Sequence, residues 1–420
     1  MNMRKNLAVA MIVKNEELNL PKCVESFRKH GLNPDFYLTD TGSTDSTFEV
    51  AKNLGCSIVQ SKQIPIKRFH EARNESLSNV IGDYKWLMTI DADEELDENL
   101  AEEIKNFIEN PDSYDNYDAA WIHNTGFKDV CYNSKLQIIK QELFMNGTVK
   151  YKYNLHEEFD RDNLDKSRIK DLYGYLWHYS LQERDNSLEN EIRKQEWYIS
   201  IARNFVNEEP ENWYPYYILA CQMRYYLGIL LKHPEYLNKI DENELSQEIK
   251  ENFENAFVLA FKTNPEKVEY RFLIRCIVCY KSFLESTKDW RMFFNSYKEY
   301  QDYWLSLIFR MFQEFPIHPI QVIYLAEIYL NRNNPNDTRK ALYWLEILDK
   351  LERPRYEDLF GMTDRLVNEV PLEMLMMSSW NAGKKKESLM YYMRLQEVNP
   401  ENYLVKENRS WFETYKFMLN

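Results

Sequence analysis

Asp91-Ala-Asp93 places two carboxylates one residue apart, straight after the apolar run Trp86-Leu-Met-Thr-Ile90. Residues i and i+2 of an extended chain point the same way, so the spacing predicts that both side chains reach one site at a strand's end. Paired hard oxygen ligands there suit a divalent cation, Mg2+ or Mn2+, bridged to a phosphorylated ligand. The same pattern also occurs in solvated turns, so its weight comes from the polar clusters upstream.

The apolar run Leu7-Ala-Val-Ala-Met-Ile-Val13 predicts a buried strand. Polar Lys14-Asn-Glu-Glu17 follows, and then a helical spacing of Leu20, Val24 and Phe27. Phe36-Tyr-Leu38 predicts a second strand running into Asp40-Thr-Gly-Ser-Thr-Asp45, which supplies a glycine, N-cap residues and an acid before a helix over 48–54. A strand over 56–60, a helix over 72–80 and the strand leading into Asp91 continue the alternation. This order predicts an α/β domain with a largely parallel sheet, whose ligands sit beyond the carboxyl ends of the strands. Asn15, Asp40 and Asp91 all fall at those ends, so three polar clusters converge on one edge.

In order and spacing, Val13-Lys-Asn-Glu16, Asp40-Thr-Gly-Ser-Thr-Asp45, Phe69-His-Glu-Ala-Arg-Asn74 and Asp91-Ala-Asp93 resemble successive motifs of family 2 glycosyltransferases of the GT-A (Rossmann-like) fold, over residues 5–180. His156-Glu-Glu158 and the helical tail resemble the branch of sublancin-type peptide S-glycosyltransferases. Lipopolysaccharide-core glycosyltransferases share many of these signatures.

The resemblance implies a role for each matching residue. Asp40 would accept hydrogen bonds from the uracil or ribose of a nucleotide sugar, with Asn15 and Glu16 lining the same pocket. Arg73 would approach the diphosphate as a permanently charged fork; its plain alternative is a helix-surface residue paired with Glu71 or Glu75. Asp93, with Asp91, would bind the metal that neutralises the leaving nucleoside diphosphate. His178, in Leu176-Trp-His-Tyr179, either completes the metal or diphosphate site or is a core histidine between two aromatics. Lys14 reads as a solvated loop lysine.

The acceptor side falls in Val149-Lys-Tyr-Lys-Tyr-Asn-Leu-His-Glu-Glu-Phe159. His156 would orient a hydroxyl or phosphate or accept a proton, since imidazole titrates near neutral pH. Glu157 or Glu158 would be the general base for the acceptor, with Glu157 slightly ahead. The chain departs from the branch at Tyr153 and Asn154, where relatives usually carry a glycine, and at Leu136, Gln137 and Lys140, where they often carry arginines. Both departures touch acceptor identity more than donor chemistry.

Net charge of −14 over 420 residues argues against nucleic acid or an anionic membrane surface as the main partner. The length exceeds what one core supports, so two domains are expected, 1–184 and 185–420. No apolar stretch reaches the length of a membrane span, and the start leads into a strand, so a cytoplasmic protein without export is expected. Cys23, Cys56, Cys131, Cys221, Cys276 and Cys279 are scattered; Cys276-Ile-Val-Cys279 lacks partners for a metal site and reads as buried thiols in a helix.

From residue 185 helical patterns dominate, rich in Tyr, Trp, Leu and Met. Segments 212–227, 265–283, 319–330 and 371–382 predict first helices of helical hairpins, several opening after a proline. Segments 338–351 and 385–398 predict second helices. Asn-Pro-Glu recurs at Asn264 and Asn399, and openings recur every ~50 residues rather than the 34 of a regular tetratricopeptide repeat. The expectation is an all-α, irregular, TPR-like array whose aromatic stripes are inter-helix core. Resemblance to the sublancin-type branch implies that it helps bind an acceptor peptide or forms a homodimer.

The chain is therefore expected to be an inverting glycosyltransferase, passing a hexose from a UDP-sugar to a peptide or glycan acceptor with a divalent metal. The alternative is a helical-repeat scaffold whose first domain binds a nucleotide sugar without transferring it.

Overall fold

Alternation along the first strand builds both faces of the sheet. In β1 (Lys5–Val13), Leu7, Val9, Met11 and Val13 enter one buried layer, while Ala8 and Ala10 enter the other. The computed structural model describes residues 5–123, 125–126, 134–178, 187–287, 290–332, 334–351, 363 and 365–419. After β1 come α1 (Leu20–Arg28), β2 (Asp35–Asp40), α2 (Thr47–Asn53), β3 (Ser57–Gln60), α3 (Phe69–Ser78), β4 (Tyr84–Thr89), β5 (Glu94–Leu96) and α4 (Glu98–Glu109). Then follow α5 (Pro111–Asn116), β6 (Ala119–His123), β7 (Thr125–Gly126), β8 (Ser134–Lys140), α6 (Gln141–Met145), β9 (Tyr151–Lys152), β10 (Glu158–Phe159), β11 (Ile169–Leu172) and β12 (Leu176–His178).

Leu20, Val24 and Phe27 of α1, Ala51 of α2 and Leu100 and Ile104 of α4 fill the first layer. Leu77 of α3 and Phe144 of α6 fill the second, where the small side chains of Ala8 and Ala10 let α3 approach. Among the described residues the central sheet has seven strands in the order β11-β6-β8-β4-β1-β2-β3. All run parallel except β8, which is antiparallel to β4 and β6. The largely parallel sheet is thus present, with one reversed strand.

Register brings the motifs to one edge. Val13 pairs with Asp40, and Ala10 with Thr89, so the ends of β1, β2 and β4 open on the same side. A small second sheet, β5-β12-β7, sets His178 opposite Glu94.

At the opposite edge the Asp118 carboxylate accepts from Lys140 Nζ at 2.9 Å and from Arg168 Nε at 2.8 Å. The Arg168 hydrogen bond, then Lys140, hold it below the usual carboxylate range. Asp118→Asn is expected to cost about 1 kcal/mol at neutral pH after solvent screening. A depressed folded-state pKa contributes stability above the ordinary value near 4 and loses it as pH falls. Urea titrations should therefore show the two proteins converging in acid.

The chain forms two compact units, Met1–Leu259 and Ala260–Asn420. The change from sheet to helix comes between β12 and α7 (Leu188–Glu208), while the first unit also carries α8 (Trp213–Lys232) and most of α9 (Glu242–Ala260). Segment 212–227 is a second helix rather than a hairpin's first: α8 packs back on α7. The sequence hid α7 because it is largely polar and buries only a narrow stripe that includes Ile192, Ile199 and Phe205.

The second unit contains α10 (Tyr270–Ser282), α11 (Tyr297–Glu314), α12 (Pro319–Asn331), α13 (Pro335–Leu348), α14 (Val370–Asn381), α15 (Lys385–Val398) and α16 (Tyr403–Leu419). The pairs α12–α13 and α14–α15 are the expected hairpins. Both Asn-Pro-Glu asparagines do the same work: Asn264 accepts from the Glu266 N–H and Asn399 from the Glu401 N–H, each at the end of a helical segment. Tyr280 and Trp304 are fully buried with ring centroids 5.6 Å apart, so these aromatics are inter-helix core. Cys276 and Cys279 are buried on α10, and Cys131 lies outside the described residues. No helix among the described residues is long and apolar enough to cross a membrane.

Candidate active site

The turn after β2 is built around Asp40. Its carboxylate, 5 % exposed, accepts from the Gly42 and Ser43 N–H groups at 3.3 and 3.1 Å and from Ser43 Oγ at 2.5 Å. Gly42 has φ 105°, a conformation that needs glycine. Asn15 takes the left-handed conformation (φ 58°), which Asn tolerates, and its Oδ1 accepts from the Thr44 N–H at 2.7 Å. The Glu16 N–H donates to Thr47 Oγ1 at 2.7 Å, and its buried carboxylate accepts from Asn19 Nδ2 at 2.9 Å. These bonds staple the β1–α1 loop to the Asp40 turn, so the three residues expected around a nucleotide do come together.

Asp91-Ala-Asp93 departs from the extended geometry its spacing predicts. β4 stops at Thr89, and the segment turns into β5. Glu94 closes that turn: its N–H donates to the Asp91 carbonyl at 3.1 Å, and its Oε2 accepts from the Asp91 N–H at 3.0 Å. The two carboxylates therefore diverge. Asp91 pairs with Arg73 Nη2, and Asp93 Oδ1 lies 3.3 Å from His178 Nε2.

Arg73, 8 % exposed on α3, is not a surface residue paired with Glu71 or Glu75. Its Nε donates to Glu157 Oε1 at 2.9 Å, and its buried Nη1 has no hydrogen-bond partner among the described residues. Burial opposes the guanidinium charge, but Asp91 and Glu157 outweigh it and hold Arg73 protonated. Burial likewise opposes the Asp91 charge, and Arg73, Lys135 and His178 outweigh it, driving that carboxyl far down. His178 thus acts on Asp91 as well as on Asp93, which joins the two ion pairs into one network. Burial alone would lower the His178 imidazole; the Asp93 hydrogen bond and charge reverse this and raise it.

The acceptor-side residues separate cleanly. Glu157 is drawn into the Arg73 network, whereas Glu158 lies in β10, paired with Lys152 of β9. His156 is exposed with φ 54°, its Nε2 2.7 Å from Gln222 Nε2.

Two charged residues join the network without any motif to mark them. Glu94, 1 % exposed, is pushed up chiefly by burial, and Lys135 Nζ lies 3.2 Å from its Oε1. Glu94 raises the Lys135 ammonium in turn. Lys135 stands in β8, one residue before Leu136.

A dedicated cage for a metal is not seen: among the described residues no group of three or more His, Cys, Asp and Glu is arranged to hold one. Asp93 and His178 form a two-donor pair, with His178 27 % exposed on its side chain. The Asp93 carboxylate is the oxygen donor that suits Mg2+ or Mn2+, whose shells are completed by water and substrate phosphate, and the His178 imidazole beside it is a nitrogen donor that a hard Mg2+ takes less readily.

A TPR repeat-containing protein of Synechococcus elongatus is 29% identical over 107 residues, 26% of this chain and 25% of that protein. An uncharacterized glycosyltransferase of Rickettsia typhi is 30% identical over 101 residues, 24% of this chain and 32% of that protein. The chain thus spans about a third or less of the length of these curated relatives. Glucosyl-3-phosphoglycerate synthase from Mycobacterium tuberculosis, solved with Mn2+, UDP and glucosyl-3-phosphoglycerate, is 16% identical at TM-score 0.31, covering 45% of this chain and 75% of that one. Residues 8–178 match the family model for glycosyl transferase family 2, so the α/β part of this chain carries a domain of that family.

Proposed function

We propose that the protein is an inverting, metal-dependent glycosyltransferase that moves a hexose from a UDP-sugar to a peptide or glycan acceptor. The observation that carries this reading is Arg73: a buried guanidinium with a spare Nη1, held between Asp91 and Glu157 at the carboxyl edge of the sheet. A buried donor without a partner is costly, and a diphosphate oxygen would satisfy it. Asp40 ends β2, two strand spacings or about 10 Å from β4, which leads to Asp91; a nucleoside diphosphate spans such a distance from base or ribose to phosphate.

Asp93 and His178 would hold the cation, which when bound supplies positive charge against the leaving diphosphate. Glu157 would take the proton from the attacking acceptor atom as that atom bonds to the anomeric carbon and the carbon–diphosphate bond breaks. Arg73 would orient Glu157 for that step. The helical hairpins are the proposed surface for an extended acceptor or a second copy of the chain, and a cytoplasmic setting is proposed with them.

The test is UDP release from UDP-glucose with Mn2+, the sugar passing slowly to water. Wild type should turn over, and chelation by EDTA should stop it. Asp93→Ala should lower the rate at least ~100-fold, about 3 kcal/mol of barrier. Equal turnover by wild type and variant would remove the metal site, and with it this reading.

A further inference from the structure

Two large non-glycine residues in the loop between β9 and β10 have left-handed backbones, Tyr153 at φ 77° and His156 at φ 54°. Such conformations are costly for residues that carry a Cβ and persist only where the surroundings hold them. Here the holding comes from the α7–α8 hairpin. The Tyr153 ring stacks on Tyr214 of α8 with centroids 3.9 Å apart. Tyr214 Oη donates to the His156 carbonyl at 3.4 Å, and Gln222, about two turns further along α8, meets the His156 ring at 2.7 Å. From α7, Glu208 accepts from Asn154 Nδ2 at 2.9 Å and from Arg68 Nη2 at 2.7 Å. The far end of the same loop sets Glu157 on Arg73.

We propose that the α7–α8 hairpin is a working part of the transfer site, and that Gln222 is a positioning residue that fixes the tautomer of His156 and the loop carrying Glu157. The proposal rests on the transferase reading above. Its chemistry is simple: an amide nitrogen only donates, so the ring nitrogen facing it must accept. The neutral imidazole then carries its proton on Nδ1, one defined donor. Without the Gln222 contact the loop loses an anchor on α8, and Glu157 loses its fixed approach.

The ring nitrogens of the full-length protein, labelled with 15N-histidine, can be read by long-range 1H–15N NMR; there are seven histidines, and His156→Gln identifies the signal. Near neutral pH wild type should show His156 as the Nδ1–H tautomer. Gln222→Glu presents only an acceptor and should move the proton to Nε2, whereas Gln222→Met should release the preference. With UDP-glucose and Mn2+, Gln222→Met should lower kcat for UDP release about 10-fold, with KM for UDP-glucose held within about twofold. A wild-type Nε2–H tautomer, or a Gln222→Met protein with unaltered ring signals and kcat, overturns the proposal. A wild type that releases no UDP defeats the transferase reading instead, and the ring signals still decide the Gln222 contact.

Discussion

Arg73→Met should abolish UDP release and destabilise the first unit by about 3–5 kcal/mol, the usual cost of removing one partner from a buried ion network. The guanidinium is 8 % exposed and serves two carboxylates at once, Asp91 and Glu157. Removing it leaves both negative charges in low dielectric with Glu94 close to Asp91, and Lys135 and His178 must offset the Asp91 charge. The triple variant Arg73→Met, Asp91→Asn, Glu157→Gln removes the stranded charges. It should recover most of the stability and none of the turnover, separating the structural from the chemical contribution. Chemical denaturation and a UDP-release assay check both halves; a stable, active single variant would show that the network is dispensable.

Gly174→Ala should be nearly as damaging. A Cβ there would sit 2.5 Å from the Leu100 backbone nitrogen and 2.6 Å from its Cα, and φ is 149°. The obstacle is the first turn of α4, which Asp97 pins by accepting from the Leu100 N–H at 2.8 Å. Overpacking and backbone strain together cost about 4 kcal/mol, read as a fall in the thermal midpoint. The next residue anchors the strand that carries His178, since the Asp97 N–H donates to the Tyr175 carbonyl at 2.9 Å. Displacement of β12 should therefore weaken Mn2+ dependence of UDP release as well. Unchanged stability and metal response would show that β12 tolerates the shift.

Much of this arrangement was legible in residue order. The strands ending at Asn15, Asp40 and near Asp91 are marked by apolar runs stopping at polar clusters, and parallel crossovers bring such ends to one edge. The hairpins α12–α13 and α14–α15 are marked by proline at the start and by short polar turns. The polar helix α7 was not legible, because its buried stripe is narrow and its partner α8 looks like a helix start in its own right. Nor was the turn at Asp91-Ala-Asp93, since the side chain that closes it, Glu94, is an ordinary acid until it is buried.

The sequence by itself determined which polar groups exist and at which strand ends they emerge, because periodicity and turn chemistry act over a few residues. Only the tertiary structure decided their partners. Arg73 and Glu157 are 84 residues apart, and Gln222 and His156 are 66 apart. Across such separations charge pairing depends on burial and strand register. The turn that Glu94 closes leaves Asp91 with an arginine and Asp93 with a histidine.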